Sequence, residues 1–326
     1  MRFYKIFNNE TRYYFNNENE LNAINDKYNV KLLYINGDNL CYCPNFLQFN
    51  NLEIFEFSYN NLFDFYRNQI NEISNLPITL KNITCNYNKL IKLPELNHLI
   101  NLEEINFKHN WLKTVPELKN CINLKLINFN FNRIKLLPEF PINVKKLHLN
   151  YNFLSELPDL SMLINLTYLD CSSNKLTKLP DLSMLINLTY LDCSSNKLTK
   201  LPDLSMLINL TYLDCNSNKL DIINNLPITL SFLDCSQNNL TQFNLLFKLK
   251  KCKEVYFYNN KISYVPKNII KCKHLQTYIK FNTYKLIYKL NYLLNTCIAK
   301  YYNFTIYNYY NTEYGYYNVP INTNYF

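Results

Sequence analysis

Four aspartates recur in one local setting, at Asp170, Asp192, Asp214 and Asp234, each preceded by Tyr-Leu or Phe-Leu and followed by Cys. Carboxylates in such a series can attract a cation or share a proton, and with suitable neighbours they orient a catalytic base. His148 and Ser172 complete a nominal Ser/His/Asp set with Asp170. Acyl transfer also needs N–H donors for the oxyanion, and no motif for such a turn accompanies these residues. His148 beside Asp170 then reads as a surface ion pair, and no residue is assigned a catalytic role. Cys41-Tyr-Cys43 is a close thiol pair without the four ligands that structural zinc takes, so no metal is expected. Gly37 and Gly315 are the only glycines, where average usage near 7% would supply about 23. Phosphate-cradling loops need glycine for close backbone approach, so no cofactor is expected either.

A second candidate chemistry is basic. The chain carries a net charge of +9, and residues 241–326 hold twelve lysines against Glu254 and Glu313 alone. The first 240 residues are therefore close to neutral. Lys248, Lys250, Lys251, Lys253, Lys271 and Lys273, with Tyr256, Tyr264 and Tyr278 among them, could pair phosphates and stack bases. Against this, those lysines fall at strand starts and turns, where a solvated rim is ordinary, and Arg, the favoured base reader, is scarce.

An internal repeat positions all of these groups. LPDLSMLINLTYLDCSSNKLTK occupies 157–178 and recurs unchanged at 179–200, and a third copy at 201–222 differs at Asn216, Asp221 and Ile222. Its skeleton LxxLxLxxNxL extends to Leu52/Phe55/Phe57/Asn60/Leu62, Leu80/Ile83/Cys85/Asn88/Leu90 and Leu102/Ile105/Phe107/Asn110/Leu112. It continues through Leu124/Ile127/Phe129/Asn132/Ile134 and Val144/Leu147/Leu149/Asn152/Leu154, and after the copies through Leu230/Leu233/Cys235/Asn238/Leu240 and Cys252/Val255/Phe257/Asn260/Ile262. A first unit at Val30/Leu33/Ile35/Asp38/Leu40 has Asp in place of Asn. Successive Asn positions lie 22 or 20 residues apart, with an irregular gap between Asn60 and Asn88 that suggests an insertion near 62–70. Alternating apolar residues turn one side of a short strand inward. One repeat cannot bury that side alone, so neighbours stack into a parallel sheet. Proline recurs on the outer side, where it blocks regular helix and favours extended or 3₁₀ geometry.

These residues resemble the leucine-rich repeat family over about residues 30–283. The 20-residue form is similar to bacterial effector repeats, and the 22-residue form to the short repeats of phosphatase-regulator and internalin-type proteins. The Asn- and Tyr-heavy composition also resembles leucine-rich repeat proteins of AT-rich genomes, among them large DNA viruses of protists. The resemblance implies an α/β solenoid, a horseshoe with a concave parallel sheet of about 11 strands and a mostly irregular or 3₁₀ convex side. It also implies a structural ladder of inward-turned amides that bond backbone groups. Its members are Asn60, Asn88, Asn110, Asn132, Asn152, Asn174, Asn196, Asn218, Asn238 and Asn260. Buried turn amides and carbonyls require such a partner on physical grounds as well.

Outside the repeats, residues 1–29 read as an N-terminal cap with Leu21 and Ile24 on one face. Residues 284–300 carry apolar positions at helical spacing and read as a capping helix. Residues 301–326 form a Tyr/Asn-rich tail, either strands folded on the cap or a flexible segment. No secretory signal or membrane-length apolar run is visible, so the 11 cysteines read as cytosolic thiols and the chain as cytoplasmic. Cys85, Cys171, Cys193, Cys215 and Cys235 take the last inward position of their strands, as a ladder of small hydrophobes.

On the concave face three columns look outward. The first reads Tyr168, Tyr190, Tyr212, Phe232; the second Asp170, Asp192, Asp214, Asp234; the third Ser172, Ser194, Asn216, Ser236. Stacked like charges repel, so the stripe suits a protein partner with a basic surface, beside an aromatic ladder fit for hot-spot contacts. The competing reading is that recent duplication copied one harmless surface. The expected function is a non-enzymatic protein-interaction scaffold. Nucleic-acid or anionic-surface binding through the Lys/Tyr-rich C-terminal quarter is the alternative, and a purely structural component is the third.

Overall fold

The structure, a computed structural model, describes residues 4–7, 10–15, 29–35, 46, 48–57, 73, 76–242, 249, 251–262, 307–309 and 318–320. The chain divides into two compact units, Met1–Lys175 and Leu176–Phe326. In the first, β1 (Tyr4–Phe7) and β2 (Glu10–Phe15) form an antiparallel pair. Then follow β3 (Leu32–Ile35), β4 (Ile54–Glu56), β5 (Asn82–Thr84), β6 (Glu104–Asn106), β7 (Leu126–Asn128), β8 (Lys146–His148) and β9 (Tyr168–Asp170). From β2 onward each strand of this unit pairs in parallel with the next. The second unit stacks β10 (Tyr190–Asp192), β11 (Tyr212–Asp214), β12 (Phe232–Asp234) and β13 (Glu254–Tyr256), again all parallel. It also holds an antiparallel pair in the tail, β14 (Tyr307–Tyr309) and β15 (Asn318–Pro320). Each of the eleven skeletons found in the sequence thus has its strand.

The strands are short because one apolar residue sits between two outward ones. Leu147, Leu169, Leu191 and Leu213 are the fully buried centres of their strands. Each repeat adds core residues that the skeleton did not include. In 157–178 these are Leu160 and Leu163, which join Leu166, Leu169, Cys171 and Leu176 at no more than 2% exposure. They hang on consecutive turns, with Leu163 N–H bonded to the Leu160 carbonyl (2.9 Å) and Leu166 N–H to the Leu163 carbonyl (2.8 Å). The outer side is therefore built from separate i→i+3 turns rather than 3₁₀ helix. A 20-residue repeat keeps one such turn, Val144 N–H to the Pro141 carbonyl. Proline at its start lacks the N–H that would close the earlier turn.

The inner turns are held by the repeated Asn. The Asn110 Oδ1 accepts from Leu90 N–H (3.0 Å), and its Nδ2 donates to the carbonyls of Cys85 (2.8 Å) and Phe107 (3.1 Å). Asn218 does the same with Leu198 N–H (2.9 Å), the Cys193 carbonyl (3.0 Å) and the Cys215 carbonyl (3.2 Å). The other rungs of the first unit follow suit. Asn132, Asn152 and Asn174 accept from the N–H groups of Leu112, Ile134 and Leu154, each at 3.0 Å. They donate to the carbonyls of Phe107, Phe129 and Leu149, each at 2.9 Å. In the second unit Asn196, Asn238 and Asn260 accept from Leu176, Leu220 and Leu240 N–H, each at 2.9 Å. Their Nδ2 atoms donate to the carbonyls of Cys193 (3.2 Å), Cys215 (3.0 Å) and Cys235 (3.0 Å). Asn88 donates to the Phe57 carbonyl at 3.0 Å, and Asn60 lies outside the described residues. A second set sits on the outer side, where Asn101, Asn123, Asn143 and Asn209 each donate to the isoleucine carbonyl of the preceding repeat.

Scarce glycine suggests that Asn supplies the left-handed turn residues, and here the structure differs. Positive φ, between 52° and 56°, falls on Asn225 and, in nine repeats, on the residue before the repeated Asn: Tyr87, His109, Phe131, Tyr151, Ser173, Ser195, Ser217, Gln237 and Asn259. Of these nine only Asn259 is an asparagine. Left-handed geometry costs a non-glycine residue roughly 1–2 kcal/mol, and the buried bonds of the next residue offset that cost. The N-terminal reading at Leu21 and Ile24, the insertion near 62–70 and the helix over 284–300 fall outside the described residues.

Candidate binding face

In the second unit the parallel register places Tyr190 beside Tyr212 and Tyr212 beside Phe232, with Asp192, Asp214 and Asp234 aligned two residues on. The rings stack, Tyr190 on Tyr212 at 4.3 Å and 7°, Tyr212 on Phe232 at 4.3 Å and 2°. At β13 the columns change, because Phe232 faces Glu254 and Asp234 faces Tyr256.

The third column has a role that its position alone does not show. Each Asp Oδ1 accepts the N–H two residues later, from Ser194 (2.9 Å), Asn216 (3.0 Å) and Ser236 (2.9 Å). Asn216 Nδ2 and Ser236 Oγ donate to the same oxygens, at 2.7 and 2.6 Å. These are Asx turns that end the strand. In the first unit Asn128 makes the same turn without charge, accepting from Asn130 N–H at 3.0 Å. The turn needs a side-chain oxygen and has no use for a negative charge.

That charge is costly. Burial, together with the adjacent Asp192 and Asp234 carboxylates, raises the pKa of Asp214 to about 7 against the pull of Asn216. Burial, then the Asp214 carboxylate with those of Asp192 and Asp234, push the Tyr212 phenol up to about 12. Asp203, in an equivalent Asx turn on the solvent-exposed outer side, is held below its ordinary value by Ser205. One local motif thus gives opposite shifts, and burial with like-charged neighbours decides the sign.

Tyr168 and Asp170 close the first unit. The Asp170 carboxylate is taken up by Asn150 Nδ2, Ser172 N–H (3.1 Å) and Ser172 Oγ (2.7 Å). His148 stands opposite Asp170 in register, and its ring lies against Tyr168 at 4.5 Å. Burial lowers its pKa although Asp170 pulls the other way. Ser172 donates to Asp170 instead of to a base, so the three residues are not ordered as nucleophile, base and orienter. The polar knot here is Asn150, Asp170 and Ser172, and the half-buried His148 meets Tyr168 rather than forming the expected ion pair with Asp170.

Cys85, Cys171, Cys193, Cys215 and Cys235 are fully buried, as are Cys121 and Cys252, and each of the seven is a thiol rather than half of a disulfide. Burial raises Cys121 to about 11 and Cys252 to about 12, which keeps these thiols protonated and unreactive. Cys41 and Cys43 lie outside the described residues. Of the Lys-rich quarter, Lys251, Lys253 and Lys261 are described and exposed. Among the described residues no helix is long and apolar enough to cross a membrane.

The family model for leucine-rich repeats (two copies) matches residues 142–184 and 186–227. No curated protein sequence matches the chain. Among solved structures, the functional domain of InlJ from Listeria monocytogenes, which includes a cysteine ladder, is 27% identical with a TM-score of 0.59, over 72% of this chain and 48% of that one. YopM, a leucine-rich effector protein from Yersinia pestis, is 24% identical with a TM-score of 0.56, over 78% and 60%. The leucine-rich repeat chain of FLRT2, solved in an octameric complex with Latrophilin 3 and Unc5D, is 22% identical with a TM-score of 0.60, over 78% and 82%. The chain spans about half the length of the InlJ domain and 60% of YopM. Residues 142–184 and 186–227 are thus leucine-rich repeats, and the fold of the chain is similar to that of solved leucine-rich repeat proteins.

Proposed function

We propose that this chain is a non-enzymatic protein-binding module whose partner docks on the outward face of the sheet, across the aromatic and Asp columns of β10–β12. The observation that carries this reading is a column of like charges at a turn that a neutral side chain makes elsewhere in the chain. Asn128 makes the same strand-ending turn as Asp192, Asp214 and Asp234, yet these three keep carboxylates in register on adjacent strands. A cationic group placed over them relieves the repulsion that raises Asp214. Tyr190, Tyr212 and Phe232 beside them supply rigid aromatic area at low entropic cost. Tyr168 and Asp170 are assigned to the same function, with less charge to offer because Asn150 and Ser172 already hold the carboxylate. Solved neighbours that use this fold inside protein complexes support the general reading, and seven buried cysteines outside any disulfide fit a reducing, intracellular setting.

The test is the triple variant Asp192→Asn, Asp214→Asn, Asp234→Asn, which keeps every Asx-turn acceptor. It should fold with an unchanged circular dichroism spectrum and lose partner capture from native-cell extract. Because the carboxylates must be ionised, wild-type capture should also strengthen as pH rises through about 7. Equal capture by wild type and triple variant would overturn the proposal, as would capture by neither, the behaviour of a purely structural component.

A further inference from the structure

The first unit carries, on the turns that follow its strands, an aromatic column with no part in the face proposed above. The left-handed residues of four successive repeats stack ring on ring. Tyr87 lies on His109 at 4.4 Å and 14°, His109 on Phe131 at 4.1 Å and 12°, and Phe131 on Tyr151 at 4.3 Å and 9°. Their shared φ sends each side chain out of its turn in one direction. Rungs about 4.8 Å apart then bring the rings into contact. Tyr87 and Tyr151 remain 39% and 53% exposed.

Two residues further along each repeat, a second column alternates cations with rings. Lys89 Nζ lies 5.8 Å from the Trp111 ring centre, and the Arg133 guanidinium lies 4.7 Å from the same centre. Lys175 Nζ is 4.7 Å from the Phe153 ring. Lys108 joins the columns at 5.7 Å from Phe131. Trp111 and Phe153 are 40% and 43% exposed. The matching windows that form this edge, 86–92, 108–114, 130–136 and 150–156, contain five lysines and Arg133 against Glu156 as their one acid.

We propose that this edge is a docking strip for an acidic polypeptide segment that alternates carboxylates with apolar side chains. Three features set the chemistry. The cations are held over ring faces, so little side-chain entropy is left to lose on binding. The stacked rings turn their electropositive edges outward, which attracts carboxylates and offers apolar contact at once. Base stacking needs free ring faces, and here both faces of His109 and Phe131 are covered by neighbouring rings and Trp111 is flanked by two cations, which disfavours single-stranded nucleic acid. From Lys89 to Lys175 the column spans about 19 Å at about 4.8 Å per rung, the reach of about six extended residues.

Trp111 is the sole tryptophan of the chain, so intrinsic fluorescence reads this edge directly. The probe is a synthetic peptide alternating Glu and Val, added to the full chain at low salt. Saturable change in Trp111 emission is expected, weakening as salt rises. The variant Lys89→Glu with Arg133→Glu should lose about tenfold in affinity, roughly 1.4 kcal/mol. The Asp192→Asn, Asp214→Asn, Asp234→Asn variant should bind the peptide as wild type does, which separates this strip from the face on the second unit. Unchanged Trp111 emission would overturn the proposal, even if the double variant failed to fold. So would peptide binding that the folded double variant retains, or an oligouridylate that binds more tightly than the peptide.

Discussion

Asp214 holds its position against its own charge. Its pKa is raised from the ordinary carboxylate range to about 7 by burial and by two aligned carboxylates. The folded state therefore binds an extra proton between about pH 4 and 7. Stability falls as pH rises through that window and is level above it. A rise of that size is worth at most about 4 kcal/mol. Asp214→Asn should accordingly raise the melting temperature by several degrees at pH 8 and change it little at pH 4, as thermal melts at the two pH values would show. The turn position gives a second check at this scale. Ser195, at φ 52°, should tolerate glycine with little or no loss, whereas Ser195→Val should cost about 1–2 kcal/mol in a denaturant titration. The columns themselves were legible in the sequence, because a 22-residue period with a Tyr-Leu-Asp core fixes which side chains face outward. The Asx turns were less so. Ser194, Asn216 and Ser236 read as lining, and only the bonds to Asp show that they hold the carboxylates.

At the scale of the element, the strand is short and the turn carries the specificity. Asn218 makes four bonds, two within its own turn and two to the preceding repeat, whereas Asn209, on the outer side, makes one exposed bond to the Ile186 carbonyl. Buried groups left unpaired cost about 1–3 kcal/mol each. Asn218→Ala should therefore destabilise by about 3–5 kcal/mol, and Asn209→Ala by less than about 1 kcal/mol. Comparable losses at the two sites would show that the inner turns do not hold the repeats. The buried thiols add a third comparison. Cys193, Cys215 and Cys235 should resist a thiol-reactive reagent until the chain is denatured, and then react fully. The strands were legible because each skeleton has one apolar residue at its centre. The left-handed positions were not legible, since the sequence shows Asn abundant at the turns without showing which turn residue has positive φ, and only Asn225 and Asn259 of the ten are asparagines. His109 is one of those left-handed residues, and its place in a stack of rings shows only once the turns are built.

At the scale of the molecule, stacked repeats act through nearest neighbours, and the identical copies at 157–178 and 179–200 make that testable. Deleting 179–200 rejoins an identical sequence. The shortened chain should fold with one strand fewer and lose Tyr190 and Asp192 from the proposed face. Partner affinity should then fall while circular dichroism keeps its shape. The repeat made this architecture legible, including the number of strands. The two strands ahead of the first repeat, β1 and β2, were not, because a single hairpin leaves no period to read. Which surface meets the partner is settled best by photo-crosslinking from defined positions. A benzophenone amino acid at Tyr212, on the outward sheet face, should crosslink the native partner. The same group at Met206, 57% exposed on the outer turns, should not. Crosslinking from position 206 and none from 212 would contradict docking on the sheet.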